Sequence, residues 1–171
     1  MELVKPKKDY LDSYYQGCIE NWGHVHDNYI IHNPKEYENW KDTIFDDFEA
    51  QANGQNLPDG FLANITYWLI ENDEYIGTVN IRPTLNNALI EYGGTFGIVI
   101  KNSKRKRGYG KKAVELVFKK LKELNISPII FTCEESNTAS WHLCEYFNYK
   151  KKDLYTTMIN GELTPARRYW F

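Results

Sequence analysis

The sequence has few of the features that would place it in a membrane, a secretory pathway or a metal-binding class. It contains no apolar run approaching the roughly 18 residues of a membrane span, and its first ten residues, MELVKPKKDY, lack the apolar core of a secretion signal. Its three cysteines, Cys18, Cys133 and Cys144, form no C-x-x-C pair, so no zinc site is expected. Because an odd number of cysteines without a signal segment favours a reducing compartment, we expect a cytoplasmic protein.

The net charge of the chain is small, but its two halves carry opposite charge. The 171 residues are 42% hydrophobic, which fits a single globular domain, and the net charge of −2 argues against a general nucleic-acid binder. Residues 1–95 hold 6 Lys/Arg and 16 Asp/Glu, a balance of −10, whereas residues 96–171 hold 15 and 7, a balance of +8. The acidic N-terminal half therefore suits a cationic ligand and the basic C-terminal half an anionic one. The alternative is that both are solvated surfaces.

Hydrophobic periodicity predicts an α/β protein. The N-terminal part reads as two helices, the second capped by Asn33 with Pro34 at its first position, and the C-terminal part alternates strands and helices. The predicted helices cover residues 7–22, 35–52, 110–124 and 138–147. The predicted strands lie within residues 66–82, 93–100, 128–133, 150–159 and 162–171, with turns at Asn72-Asp73 and Asn160-Gly161, and residues 83–89 read as a loop. We expect helices on both faces of one mixed sheet.

The most informative segment is the basic loop between the strand 93–100 and the helix that follows it. The first N–H groups of a helix have no internal partners and the helix dipole is positive there, so such a loop can bind an anion. Gly108 and Gly110 would let phosphate oxygens approach the backbone, and residues 104–107 (KRKR) add positive charge. The G-x-x-x-x-G-K-[ST] and G-x-G-x-x-G patterns are both absent, and a solvated basic turn is the alternative.

Two segments resemble motifs of one enzyme family. Arg105-x-x-Gly108-x-Gly110, after an apolar strand and before an amphipathic helix, resembles the [Q/R]-x-x-G-x-[G/A] motif of the GNAT acetyltransferases. Further on, Asn137-x-x-Ser140 and the helix ending Tyr146-Phe147-Asn148-Tyr149 resemble the family's N-x-x-[A/S] and G-F segment, with Asn148 in place of the usual Gly. The resemblance covers residues 61–159. The stretch from Ile81-Arg82-Pro83 to Gly93-Gly94-Thr95-Phe96-Gly97 is similar to a bacterial branch of predicted acetyltransferases.

The resemblance implies a single domain, residues 1–171, that uses acetyl-CoA as acyl donor without a metal. It implies a twisted, mixed but mostly antiparallel sheet of six or seven strands flanked by helices. Residues 1–60 would form the helical acceptor side, 61–159 the acetyl-CoA core and 150–171 a C-terminal hairpin. By the same resemblance, acetyl moves directly to a primary amine. The implied acetyl-CoA contacts are Ile98, Val99, Ile100, Arg105, Lys106, Arg107, Gly108, Tyr109, Gly110, Lys111, Asn137 and Ser140.

The sequence offers several candidates for the catalytic acid and base. Many family members have a Tyr, which protonates the leaving thiolate, at the position of Cys144, and a buried Cys here could equally fill core space. Candidate general bases are Glu91, Glu134 and Glu135, although surface carboxylates are common and a water chain could also deprotonate the amine. His24 and His26 fall in the region that lines the acceptor site in this family, or are solvated loop residues.

The expected partners follow from charge and from the family. Residues 1–60 hold 5 Lys/Arg and 12 Asp/Glu, with Asp42, Asp46, Asp47 and Glu49 close together, which favours a cationic amine acceptor. We expect no nucleic-acid or membrane partner and a monomer or homodimer. The alternatives are a CoA-binding module without catalysis, suggested by Cys144, and a nucleic-acid-binding domain, which the acidic N-terminal half disfavours.

Overall fold

The computed structural model describes residues 1–24 and 30–171, which form seven strands in two sheets with helices on both sides. The α-helices are α1 (Leu11–Asn21), α2 (Tyr37–Trp40), α3 (Ile44–Ala52), α4 (Asn87–Glu91), α5 (Tyr109–Glu123) and α6 (Thr138–Tyr146). The strands are β1 (Glu2–Val4), β2 (Ile65–Glu71), β3 (Glu74–Ile81), β4 (Phe96–Ile100), β5 (Ile130–Glu134), β6 (Lys151–Ile159) and β7 (Glu162–Trp170). The predicted α/β class and strand number are confirmed.

The strands divide into two hydrogen-bonded units, where the sequence suggested one sheet. The first has the order β1-β2-β3-β4 and the second β5-β7-β6, and their strand pairs are antiparallel. The two units meet at Thr95, whose N–H donates to the Ile130 carbonyl (2.7 Å) and whose Oγ1 accepts from the Ile130 N–H (2.9 Å). Beyond this junction β4 and β5 separate, so a gap opens between the two sheets.

Two cores hold the helices against the sheets. On one side α5 and α6 cover a core that includes Leu69, Val79, Phe96, Val117 and Phe131. The sequence predicts an apolar face on α5 with Ala113, Val114, Val117, Leu121 and Leu124. The first four are buried, whereas Leu124, just after the end of the helix, is exposed.

The other side is an aromatic core beneath α1, α2 and α3. Tyr14, Trp40, Phe48, Trp68 and Tyr75 are its buried aromatic side chains. His32 shares a hydrogen bond with Tyr14 here (2.7 Å), and burial lowers the pKa of His32 to about 4, so this ring is neutral near pH 7.

Most of the predicted elements form, and the differences have local causes. Both predicted turns hold positive φ angles at Asn72 (53°), Asp73 (59°), Asn160 (52°) and Gly161 (85°). The second N-terminal helix is broken into a 3₁₀ turn, Pro34–Glu36, followed by α2 and α3, although Asn33 caps its start as expected. Helix α4 lies where a loop was predicted, because the Asn86 side chain caps it by accepting from the Leu89 N–H. No helix in residues 1–24 and 30–171 combines the length and apolarity of a membrane span.

Candidate active site

The edge of β4 that faces the gap is defined by its pairing with β3. Arg82 N–H donates to the Thr95 carbonyl, and Lys101 N–H donates to the Ile76 carbonyl. Because peptide groups alternate in direction along an antiparallel strand, the odd-numbered residues of β4 bond to β3. The peptide groups of Phe96, Ile98 and Ile100 therefore point away from β3, into the gap.

The opposite edge follows the same rule. In β5, the bonds from Phe171 N–H to the Ile129 carbonyl and from Glu135 N–H to the Pro165 carbonyl assign the odd-numbered residues to β7. The peptide groups of Thr132 and Glu134 then face the gap. Two strand edges, closed at one end by the Thr95–Ile130 junction, thus border a slot that could accept an extended chain.

The basic loop lies at the open end of β4. After β4 the chain makes a 3₁₀ turn, Asn102–Lys104, and reaches Arg105, whose Nε donates to the Ile100 carbonyl (3.0 Å). The backbone is left-handed at Lys106 (φ 58°) and Gly108 (φ 83°). A Cβ built on Gly108 would meet no atom within 4 Å, so this position is open on its outer side. Lys106 and Arg107 are exposed, and α5 begins at Tyr109 with its first N–H groups at this turn. The loop therefore combines the positive end of a helix, an open glycine and two exposed cations.

Several residues in and beside the basic loop make contacts with other parts of the protein. Tyr109 donates its hydroxyl to Glu71 (2.5 Å) and Lys104 pairs with Glu74 (2.5 Å). Lys111 lies over the ring of Tyr146, with Nζ 3.4 Å from the ring centroid. Gly110 packs against α6, because a Cβ there would lie 3.4 Å from Leu143. Any contribution of these four residues to an anion site is thus mainly through the backbone.

Asn137 and Ser140 shape the start of α6. The Asn137 side chain is the helix cap and accepts from the Ser140 N–H (3.2 Å). The Ser140 side chain hydrogen bonds to Cys133, which lies on β5. This motif therefore sets the position of α6 against the gap-lining strand.

The three carboxylates proposed as bases lie in different surroundings. Glu135 accepts two hydrogen bonds from Arg167 (2.5 and 2.6 Å), which hold the pKa of this carboxyl below its usual range. Glu91, at the end of α4, accepts from Thr157 (2.5 Å). Glu134 ends β5 at the gap and accepts from the hydroxyls of Tyr92 (3.3 Å) and Ser136 (3.1 Å). Only Glu134 of these three is on a strand that borders the gap.

Cys144 is inside the core and away from solvent. Its side chain is 4% exposed and packs with Phe131 and Cys133 beneath α5 and α6, and burial raises the pKa of its thiol. A thiol with a raised pKa is a weak nucleophile and a weak proton donor at neutral pH. Among the histidines suggested for the acceptor side, His24 is exposed after α1, and His26 lies outside the described residues.

One residue at the gap was not singled out by sequence reasoning. Arg82 follows β3, and its side chain reaches the Gly93 and Gly94 carbonyls through Nη1 (2.7 and 3.2 Å). The sequence places Arg82, Gly93 and Gly94 in one family-like stretch, and this pattern was the available signal. Nothing in the sequence reveals that the three meet beside β4.

Comparison with known proteins agrees with this arrangement. The family model described as "Acetyltransferase (GNAT) family" matches residues 25–149, a range that includes the gap-lining strands, the basic loop and α6. The chain belongs to the GNAT acetyltransferase family. It is therefore an acetyltransferase, and the family predicted from the two motifs is confirmed. The search of curated proteins found no match.

Solved GNAT structures share the fold over almost the whole chain. RimL, a ribosomal L7/L12 alpha-N-protein acetyltransferase in complex with coenzyme A, has a TM-score of 0.64 at 12% identity, over 99% of this chain and 92% of its own. A putative ribosomal-protein-serine acetyltransferase from Vibrio cholerae has a TM-score of 0.63 at 16% identity, over 99% and 91%. A GNAT acetyltransferase from Bacillus anthracis has a TM-score of 0.64 at 15% identity, over 99% and 92%. At these identities the likeness establishes the fold.

Proposed function

We propose that this GNAT protein binds acetyl-CoA in the gap between β4 and β5 and transfers the acetyl group directly to a primary amine. The observation that supports this most strongly is the pairing of an open strand edge with the basic loop at its end. The loop backbone around Gly108, with Lys106 and Arg107, suits the pyrophosphate. The edge of β4 suits the amide-containing arm of coenzyme A, which would bind as an added strand. We propose one domain, with residues 1–60 forming the acceptor side.

The chemistry that acetyl-CoA supplies is an activated acyl thioester. The Ile98 N–H, which the β3 pairing directs into the gap, would donate to the thioester carbonyl and stabilise negative charge there. The amine nitrogen forms the new N–C bond while the C–S bond breaks, and the proton lost by the amine balances the charge of the departing thiolate. Because a thiol has a pKa near about 8.5, that thiolate needs little acid assistance.

Glu134 is our candidate for accepting the amine proton. Its carboxylate is on a strand that borders the gap and accepts from two neutral hydroxyls, those of Tyr92 and Ser136, whereas both oxygens of Glu135 accept from the Arg167 guanidinium and Glu91 lies on α4. A carboxylate at the gap can receive the proton directly or through one water.

The charge of the acceptor depends on which charged residues lie near the gap. The acidic N-terminal half favours a cationic amine. Its densest acidic residues, however, lie on and just before α3, which packs over β2. In the sheet order, β2 is two strands from β4. Their influence at the gap is therefore distant and screened, and a panel of cationic, neutral and acidic amines is needed to assign the acceptor.

The decisive test of the acetyl-CoA site is Gly108→Val compared with Gly161→Val. Both glycines have nearly the same positive φ, 83° and 85°, and a Cβ at either would meet no atom within 4 Å. The two variants therefore impose a similar backbone strain. Only Gly108→Val adds bulk at the proposed phosphate loop, so we expect it to weaken acetyl-CoA binding at least tenfold in calorimetry while Gly161→Val binds as wild type.

Two results would count against the proposal. Equal acetyl-CoA affinities for the two variants would remove the loop as the phosphate site. Tight binding by the wild type without turnover of any amine would favour the alternative function, a CoA-binding module without catalysis. Arg105→Ala should reduce affinity less than Gly108→Val, since it removes a charge and leaves the loop amides.

A further inference from the structure

Arg82 places a cation beside the proposed acetyl position. Its side chain lies partly buried at the end of β3, where Nη1 donates to the Gly93 and Gly94 carbonyls. Those two contacts use one nitrogen of the guanidinium. Nη2 and Nε carry three further N–H donors, which the contacts to Gly93 and Gly94 do not use.

Within the described parts of the chain, no carboxylate pairs with Arg82. The two arginines of β7 do pair with carboxylates: Arg167 pairs with Glu135 (2.5 Å) and Arg168 with Asp153 (3.1 Å). Burial lowers the pKa of Arg82 to about 10, so the group is still charged at neutral pH. A buried cation that contacts only peptide carbonyls is destabilising unless an anion completes its surroundings.

One of these donor nitrogens, Nη2, lies beside β4, the strand whose free edge would hold the thioester. Gly97 lies on β4, and a Cβ built there would be 3.8 Å from Nη2 of Arg82. Three covalent bonds, each roughly 1.5 Å, separate that Cβ position from the Ile98 nitrogen, so Nη2 is within about 8 Å of the N–H proposed to bind the thioester carbonyl. Residue 97 itself has no side chain, and the Ile30 side chain packs over this position, with Cδ1 3.0 Å from the built Cβ, so Ile30 and the guanidinium share this face of β4.

We infer that Arg82 binds a carboxylate of the acceptor, and that the acceptor is a small amino acid acetylated on its amine. This inference rests on the proposed acetyl transfer and names its substrate class. A planar guanidinium matches a carboxylate with paired hydrogen bonds. An attacking amine must reach within about 3.5 Å of the thioester carbon. The distance between Arg82 Nη2 and the Ile98 nitrogen therefore leaves room for one or two carbons between the amine and the carboxylate, as in α- and β-amino acids. Arg82 contacts this segment at Gly93 and Gly94, and Glu134 contacts it at Tyr92, so the carboxylate of the acceptor would lie at Arg82 and its amine toward Glu134.

The test compares acceptors that differ only in the carboxylate. Glycine, β-alanine, glutamate and lysine are each assayed against their carboxamides with the wild-type enzyme, acetyl-CoA and a thiol-release readout. We expect the amino acids to have at least tenfold higher kcat/KM than the amides, because a charge-assisted pair is lost in the amide. Arg82→Gln should raise KM for the amino acids and abolish this preference, while kcat with the amides changes little.

Matched variants separate recognition from folding. Arg82→Lys keeps the positive charge but lacks the paired N–H donors of a guanidinium, so it should retain part of the preference. Arg167→Gln removes a guanidinium that pairs with Glu135 and stacks over Trp141 of α6, and it should leave the ratio unchanged. Equal turnover of amides and amino acids, or a preference for polyamines, would overturn the inference. So would a parallel loss of turnover on both substrate types in Arg82→Gln, which a structural role for the Gly93–Gly94 contacts predicts.

Failure of the proposed function has a different signature. If acetyl-CoA binds and no amine is acetylated, the transfer itself is wrong. Calorimetry of the same amino acids with CoA-loaded protein then decides the role of Arg82. Binding to the wild type that Arg82→Gln lacks supports a carboxylate site, and equal or absent binding refutes it.

Discussion

The role of Cys144 depends on whether its side chain faces the gap or the core. In sequence, Cys144 occupies the place of a catalytic tyrosine in many GNAT enzymes. In the structure it faces the core shared by α5, α6 and β5. His142, two positions earlier, is exposed and contacts the Thr138 carbonyl, so it does not activate the thiol. A desolvated thiol without a base is suited to packing.

Replacing Cys144 should therefore affect stability more than chemistry. We expect Cys144→Ala to keep measurable acetyl transfer and to lower the free energy of unfolding by about 1 kcal/mol, a typical cost of a small core truncation. Cys18→Ala, in the aromatic core, is a matched control with a similarly buried sulfur. Mass spectrometry that detected an acetyl group on Cys144 during turnover would contradict direct transfer.

At the scale of elements, the two gap-lining strands approach each other where residues 94 and 95, just before β4, contact Ile130 at the start of β5. Gly94 has φ of 65°, and a Cβ there would lie 2.5 Å from the Ile130 carbonyl oxygen. Thr95 then makes the hydrogen bonds that join the sheets. The close approach of these backbones sets the closed end of the gap, so a side chain at position 94 must push the strands apart.

Gly94→Ala should accordingly be severely destabilising. The added methyl combines an unfavourable φ with a clash against backbone, so we expect a loss above about 2 kcal/mol in urea unfolding. Gly60→Ala is the control, because Gly60 has φ of 83° and open space around it. Equal losses in the two variants would mean that backbone conformation alone, and not the contact with Ile130, accounts for the effect.

The charge division acquires a spatial meaning only at the scale of the whole molecule. The basic C-terminal half contributes the loop after β4, where Lys106 and Arg107 are exposed. Other cations of that half are already paired, including Lys101 with Glu20 and Glu74. Part of the opposite charge therefore cancels where Lys101, directly after β4, meets Glu20 of α1 and Glu74 of β3.

Acetyl-CoA affinity should depend on ionic strength through the exposed cations. Raising NaCl from about 50 to about 500 mM should weaken binding several-fold, because exposed charges are screened over about a Debye length. The double variant Lys106→Gln/Arg107→Gln should bind more weakly at low salt and respond less to added salt. An affinity that did not change with salt in the wild type would assign the binding to the loop amides alone.

The sequence by itself determined the family, the α/β class and most of the elements. Apolar periodicity identified α1 and α5, a capping residue identified α6, and paired turn residues identified both hairpins. These signals depend only on neighbours within a few positions. The signal for the Arg105–Gly110 loop is equally local, because the glycines and the helix start that form an anion site are all within one short segment.

Only the tertiary structure decided which groups face the gap. The separation of β4 from β5, the burial of Cys144, the occupation of Glu135 by Arg167 and the meeting of Arg82 with Gly93 and Gly94 all join residues distant in sequence. Composition and spacing do not encode such contacts, because strand register and sheet separation determine on which face each side chain lies. The acetyl-CoA loop could therefore be predicted from residues, whereas Glu134 and Arg82 became preferred candidates only through the fold.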